Sequence, residues 1–511
     1  MPPDAARHAI LAIDQGTTSS RAIAFDPSGG VIASAQQPLP QRFPRDGWVE
    51  QDPEDIWRTV LETSRQALVE ARGKGFTVAA IGIVNQRETT VVWDRASGRP
   101  VHNAIVWQDR RGAERCGQLV AGGAAPAIRR TTGLVPDSYF SATKLEWLLS
   151  HVDGAGSAAG RGELAFGTVD SFLLWRLTGG AAHATDATNA SRTMLFDIEA
   201  QGWDGALCRE FGVPDSVLPE VRDSAGAFGT TDPAVFGAAV PVTGIAGDQQ
   251  AALIGQGCLT PGMAKSTYGT GCFILVNAGR DRPEPGEGIL ATVAWRLGGE
   301  TVYAVEGAIF NAGTAVQWLR DGLGVIGESA ASEALAAGLP DNGGVYLVPA
   351  FTGLGAPWWD ADARGGLFGL TRDTGAAHLA RAALEACGYQ TADLLEAMGG
   401  PKRGGRPGFG ARIDRGRLRV DGGMAANDWL MQFVADITGA PVERPAVTET
   451  TALGAALLAG VGAGIYGSLK EAVAAAWRAE RIFTPSMAVD RRKALRAGWR
   501  TAVRRVRNGA R

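Results

Sequence analysis

Two short stretches carry side chains suited to holding a polyanion. The first is Asp14-Gln15-Gly16-Thr17-Thr18-Ser19-Ser20-Arg21, set between apolar runs at 10–13 and 22–25. The second is Tyr268-Gly269-Thr270-Gly271-Cys272-Phe273, again between strand-like runs. Strand, polar Gly-containing turn, strand is the pattern of a β-hairpin. Such a turn aims backbone N–H groups, hydroxyls and a guanidinium at an anion such as phosphate. Asp14, at a strand end, offers a hard oxygen ligand to Mg²⁺. The pattern alone fits an ordinary hairpin with an acid at its mouth equally well. Two further polar clusters end buried runs: Asn85-Gln86-Arg87-Glu88-Thr89-Thr90 after 78–84, and Gly247-Asp248-Gln249-Gln250 after 242–246. Asp248 opens a helix and reads as its cap; Arg87-Glu88 reads as a surface ion pair. The sequence contains no GxxxxGK[ST], HExxH or GxSxG motif, and no Cys/His set with zinc spacing.

These residues need elements to hold them. Asp52-Pro53-Glu54-Asp55 is a strong helix start, with a capping acid, proline at the first helical position and acids in the first turn. Trp57, Val60, Leu61, Leu68 and Ala71 then recur at helical spacing. A third strand is predicted over 31–36, and others over 91–93, 104–107 and 345–348. Residues 133–140 read as a loop leading into a helix with Lys144, Leu145, Trp147 and Leu148. The Gly/Ala-rich segment 153–162 reads as loop. Helices are predicted over 312–320 and 376–398, and an exposed loop or small hairpin over 399–417. Residues 418–427 read as strand, Gly turn and helix start, a place where a flat or anionic ligand approaches the backbone. A small-residue helix follows at 450–459. A basic amphipathic helix at 491–507 carries Leu495, Trp499 and Val503 as a packing stripe. The two Gly-rich hairpins open two halves of similar size, which suggests a duplicated nucleotide-binding unit with its boundary near 256–260.

At 511 residues the chain is too long for one core, and two domains are expected. A hydrophobic content of 45% and a formal net charge of −3 describe a globular chain without a global field for nucleic acid or membrane. No apolar run is long enough to span a bilayer, and no secretory signal is visible. Cys116, Cys208, Cys258, Cys272 and Cys387 are scattered and odd in number, as buried thiols of a reducing compartment would be. A cytoplasmic location is therefore expected, and the Asn189-Ala190-Ser191 sequon reads as a chance match. His8, His102, His151, His183 and His378 lie in no motif and read as structural or exposed.

Taken together, the motifs above, with Gly353-Leu354-Gly355-Ala356-Pro357-Trp358-Trp359-Asp360 and Asp421-Gly422-Gly423, resemble those of the FGGY carbohydrate kinases along nearly the whole chain. The resemblance implies an α/β fold of two ribonuclease-H-like (actin-like ATPase) domains with the active site in the cleft between them. It places an N-terminal domain for glycerol and phosphate at 1–256 and a C-terminal nucleotide domain at 257–511. ATP and Mg²⁺ are the implied cofactors, with Asp14 as the metal residue. Thr17, Thr18, Ser19, Arg21 and Thr270 match phosphate contacts. Gly313, Gln317, Gly423 and Asn427 match nucleoside-side contacts. Arg87, Glu88, Tyr139, Asp248 and Gln249 match acceptor contacts, with Asp248 the implied catalytic base. Trp107 and Phe273 match aromatic walls, although plain core is the competing reading of both. The Arg-Glu pair after Asn-Gln points to glycerol as the acceptor; another polyol or a sugar such as xylulose is the alternative. A homo-oligomer, dimer or tetramer, is expected, with no nucleic-acid partner.

Overall fold

The structure is a computed structural model and describes residues 7–284, 286, 288–360, 362–399 and 416–508. Two mixed sheets organise it. The first has six strands in the order Ala225–Thr230, Pro241–Gly247, Phe76–Asn85, Arg7–Gln15, Ser19–Phe25, Val31–Pro38. The second has seven, in the order Leu290–Leu297, Glu300–Ile309, Cys272–Gly279, Ala264–Tyr268, Leu418–Asp421, Val442–Pro445, Ala479–Phe483. Both repeat one plan. A hairpin and a third antiparallel strand lie on one side, and two parallel strands plus a final antiparallel one lie on the other; the second sheet adds Leu290–Leu297, antiparallel, at its edge. The duplication suggested by the two Gly-rich turns is thus a duplication of topology.

The buried runs explain the strands. Ile10, Leu11, Ala12 and Ile13 are inaccessible on both faces of the first sheet, as strands parallel to a neighbour and covered on both sides must be. On one face the predicted helix forms as Pro53–Gly73, with the Asp52 side chain accepting from the Glu54 N–H. Its Ile56, Val60, Ala67 and Leu68 enter the first core. On the other face lies Thr450–Gly462, a helix from the second half of the chain, which packs on the first sheet and on Asp248–Gly255. Its small residues are a steric requirement. A Cβ added at Gly454 would stand 1.8 Å from the Ala251 carbonyl oxygen, and one at Gly255 1.9 Å from that of Thr450. The two helices meet backbone to backbone, and this contact joins the halves.

Two expectations are corrected. Residues Ala155–Gly160 form a short helix rather than loop; alanine is the best helix former, and Ala155 and Ala159 are buried. The helix predicted over 312–320 is α-helical only over Gly313–Gln317, then widens into a π turn at Trp318–Gly322. There Leu323 N–H donates to the Trp318 carbonyl at 3.0 Å. The loop or hairpin expected at 399–417 lies almost wholly outside the described residues. The C-terminal helix forms as Val489–Asn508, with Leu495, Trp499 and Val503 buried against Ala376–Gly399. Trp499 stacks on Tyr389 at 5.3 Å and donates to Asp393 Oδ2 at 2.7 Å. No helix among the described residues is long and apolar enough to cross a membrane. Asn189 is fully buried and donates to Asp186, so the sequon is no surface acceptor.

Gly454→Ala is expected to destabilise the chain by about 3 kcal/mol, because neither backbone can retreat. A urea melt showing less than about 1 kcal/mol of loss would contradict this helix contact.

Candidate active site

Each hairpin turn sits at the open end of its sheet. In the first, Gly16 N–H donates to the Ser19 carbonyl at 2.9 Å, and Asp14 pairs in register with Arg21. Thr17 and Ser19 are partly exposed, and Thr18 is exposed at the tip. Gln51 Nε2 donates to the Thr17 carbonyl at 2.6 Å and fixes the turn from below. Arg21 is ion-paired to Glu449, which precedes the Thr450–Gly462 helix. In the second hairpin Thr270 is exposed at the tip. Its carbonyl accepts from Ala312 N–H at 3.0 Å and Thr314 Oγ1 at 2.9 Å, which ties the turn to Gly313–Gln317. A Cβ on Gly313 would meet the Gly269 carbonyl at 2.6 Å and Met424 Sδ at 3.2 Å. Gly313 and the 423–427 turn therefore converge. Gly423 and Gln317 are exposed, and Asn427 caps Asp428–Thr438 by accepting from Leu430 N–H at 2.8 Å.

Between the turns lies a charged cluster. Arg87 and Glu88 are 3% and 1% exposed, so the surface ion-pair reading is wrong. Arg87 Nε lies 3.0 Å from Asp248 Oδ1, and its two terminal nitrogens reach Glu306 at 2.5 and 3.1 Å. Nη1 also donates to Gln250 Oε1 at 3.3 Å, and Nη2 lies 3.4 Å from Tyr139 Oη. The room for this side chain comes from Gly247: a Cβ there would stand 2.7 Å from Arg87 Cδ. Gly247, not Asp248, is the cap of Asp248–Gly255; Asp248 is its first residue, with a side chain 32% exposed to the cleft. Gln249 Oε1 accepts from the buried Lys265 ammonium. Lysine only donates, so the amide orientation is determined and its NH₂ faces away from Lys265.

Three rings close the cluster. Trp107 meets Tyr139 edge-on at 5.5 Å and Phe273 at 6.3 Å. Trp107 and Phe273 are partly exposed and belong to none of the buried cores, which removes the plain-core reading. Trp107 Nε1 donates to Thr17 Oγ1 at 2.9 Å, so the aromatic wall and the phosphate-side turn share a hydrogen bond. Burial raises the Tyr139 phenol, which keeps it a donor. Sequence reasoning missed Arg192, Glu306, Lys265 and Glu449, all of which touch the expected site residues.

The N-terminal domain of the FGGY family of carbohydrate kinases matches residues 9–255, and its C-terminal domain matches residues 264–463. The chain belongs to that family. Among curated relatives, the glycerol kinase of Rhodospirillum centenum is 62% identical over 504 residues, covering 99% of each chain. Among solved structures, Plasmodium falciparum glycerol kinase with ADP superposes with a TM-score of 0.88 at 34% identity, covering 98% of both chains. A ligand-bound xylulose kinase from Lactobacillus acidophilus matches with a TM-score of 0.84 at 22% identity, again over 98% of both chains, a likeness of fold.

For an FGGY kinase a magnesium site is in question. Burial pushes the Asp14 carboxyl up to about 7; Arg21 pulls it down, and the charges of Asp248 and Glu449 push it further up. A carboxylate this costly to ionise, beside other acids, fits a residue that works against a hard cation. A single carboxylate completed by phosphate oxygens and water is the usual Mg²⁺ arrangement. The sign for stability follows. The folded pKa lies above the unfolded value, so stability falls as pH rises from about 4 to about 7. Asp14→Asn is expected to melt above wild type at pH 8 without nucleotide, with the gap closing toward pH 5, while turnover falls at least about 100-fold. Thermal melts across pH check this; a gap that does not depend on pH would contradict it.

Proposed function

We infer that this chain transfers the terminal phosphoryl group of ATP, with Mg²⁺, to a terminal hydroxyl of glycerol, giving sn-glycerol 3-phosphate. The observation that carries the reading is the cluster of Arg87, Glu88, Asp248, Gln249 and Tyr139 walled by Trp107 and Phe273 between the two turns. Glycerol is nearly all hydroxyl with a short C–H face. Glu88 and Asp248 accept; Arg87, Tyr139 and the Gln249 NH₂ donate; the rings face the carbons. Arg87 Nη2, whose contact with Tyr139 Oη is long, is its most available donor.

Phosphoryl transfer needs positioning, charge neutralisation and a carboxylate to take the hydroxyl proton. Asp248 is that carboxylate. Arg87 and the helix N-terminus hold it, and it remains open to the cleft. Thr17, Thr18, Ser19, Arg21 and Thr270 supply hydroxyls, N–H groups and a cation to the phosphates, and Gly313, Gln317, Gly423 and Asn427 border the nucleoside side. Mg²⁺ neutralises developing charge on the phosphates when bound, and Asp14 would hold it. The division of labour at 256/257 falls in the turn after Asp248–Gly255, before the second hairpin begins at Ala264.

The xylulose alternative rests on a likeness of fold. We place the enzyme in the cytoplasm, a reading supported by five buried cysteines that form no disulfide. We also expect a homo-oligomer, dimer or tetramer.

An ADP-release assay across glycerol, dihydroxyacetone, xylulose and gluconate tests the substrate, and preference for xylulose over glycerol would overturn it. Asp248→Asn is expected to lower kcat by about 10²–10⁴-fold with nucleotide still bound. Retention of more than about a tenth of wild-type kcat would remove Asp248 from the role of base.

A further inference from the structure

Five side chains form one chain of alternating charge through the acceptor pocket. Asp248 meets Arg87 at 3.0 Å; Arg87 meets Glu306 at 2.5 Å; Glu306 meets Arg192 at 3.0 Å; Arg192 meets Glu88 at 2.6 Å. All but Asp248 are inaccessible to solvent or nearly so. Glu306 comes from the strand Glu300–Ile309 of the second sheet, whereas the other four belong to the first half. It is the only one of the five hydrogen-bonded to both guanidinium groups, through Oε1 to Arg192 and through both oxygens to Arg87, whereas Glu88 Oε1 is bonded to Arg192 and lies 3.9 Å from Arg87 Nε. Arg192 also lies over the rings of Tyr139 and Phe140, at 5.5 and 5.2 Å.

At the far end of this chain the backbone is strained. Glu88 has a φ of +62°, and Thr89 N–H donates to the Arg87 carbonyl at 2.8 Å, two residues back. An i→i+2 bond about a residue with positive φ is the uncommon, strained γ-turn. A non-glycine residue keeps such a conformation only where its surroundings over-determine it. Arg192 holds the Glu88 carboxylate, and Ser141 and Thr90 hydroxyls donate to its carbonyl, each at 3.1 Å. A buried ion-pair network is a poor source of net stability compared with apolar packing of equal volume. A strained acid whose Oε1 is held by Arg192 at the acceptor pocket therefore points to orientation rather than to stability.

We propose that Glu306, acting through Arg192 and Arg87, is a positioning residue for the acceptor: it fixes where the Glu88 carboxylate and the Arg87 guanidinium present themselves to the substrate hydroxyls. The proposal rests on the glycerol reading of the cleft. The titratable groups facing one another are Arg87, Arg192 and Lys265 against Glu88, Glu306 and Asp248; burial raises the Glu88 carboxyl and lowers the Lys265 ammonium. Burial raises the Glu306 carboxyl, but Arg192 and Arg87 outweigh it and bring it down to about 2, so it is charged at every working pH. Removing that charge leaves two guanidinium groups competing for Glu88 and Asp248, and both acids turn from the substrate toward the arginines.

The test uses the full-length enzyme with Glu306→Gln, Glu306→Asp and Arg192→Lys in the ADP-release assay, with melting temperatures recorded. Wild type is measured alongside. If it does not phosphorylate glycerol, the underlying reading fails, whatever the variants do. Given an active wild type, Glu306→Gln and Arg192→Lys are expected to raise glycerol KM by about tenfold or more, with ATP KM within about twofold and kcat falling less than glycerol KM rises. Glu306→Asp, which keeps the charge, is expected to recover part of the loss. A merely structural role would lower the melting temperature and move both KM values together. Glycerol KM within about twofold of wild type in any folded charge-removing or Arg192 variant would overturn the proposal, as would parallel rises in both KM values. Failure of all three variants to fold would also overturn it, because the network would then be a folding element.

Discussion

The acceptor pocket depends on one expensive act, the burial of the Arg87 guanidinium. An ion of this kind taken out of water costs several kcal/mol unless its donors are met with good geometry. Arg87 is met on every side: Asp248 at Nε, Glu306 across both terminal nitrogens, Gln250 and Tyr139 beyond. These partners come from distant parts of the chain, and Glu306 comes from the other half. The pocket therefore has its shape only when the two halves are joined. The joint itself is the contact of Asp248–Gly255 with Thr450–Gly462, where small residues bring backbone against backbone. The same short helix thus opens with Asp248, the proposed proton acceptor, and ends at the inter-half contact, so packing at one end positions the carboxylate at the other.

Much of this was legible before any coordinates. The two hairpins were readable because an apolar run, a polar glycine turn and a second apolar run have few other solutions. The helix at Pro53–Gly73 was readable because its cap, proline and acids are local features. Arg87, Glu88 and Asp248 stood out because polar clusters at the ends of buried strands are few. Arg192 and Glu306 did not stand out, because their meaning lies in partners 104 to 219 residues away. A signal was present all the same. Glu306 is a lone acid inside the apolar strand Glu300–Ile309, and Lys265 is one of only six lysines and lies inside another strand. A charge in a strand buried on both faces must be paired, and the pairing had to be sought among the other buried charges. The 155–160 helix was misread for the opposite reason. Glycine and alanine together read as loop, but alanine packed on its own neighbours is the best helix former available.

The Trp107 indole adds a link that spacing could not show. Its N–H is spent on Thr17 Oγ1, a hydroxyl on the phosphate-side turn. The proposed wall of the acceptor pocket is thereby registered against the turn proposed to face the phosphates. Positioning of this kind matters because phosphoryl transfer asks little covalent chemistry of the protein and much alignment.

The phosphate side is built on the opposite energetic principle. Arg21 is also ion-paired, to Glu449, yet its side chain is 24% exposed and that of Glu449 43%. Exposed pairs contribute about 0–1 kcal/mol, so exchanging Glu449 for a phosphate oxygen costs the fold little. Arg87 permits no such exchange of Glu306, because withdrawing that carboxylate strands a buried charge. The contrast matches what the two ligands demand. A polyphosphate carries several charges and arrives with a metal, so it can displace a weak internal pair and replace it with a stronger one. An uncharged triol brings only hydroxyls, and it binds selectively only where donors and acceptors already stand in place. A rigid, costly acceptor pocket beside a readily exchanged phosphate clamp is the arrangement that the chemistry of these two ligands requires.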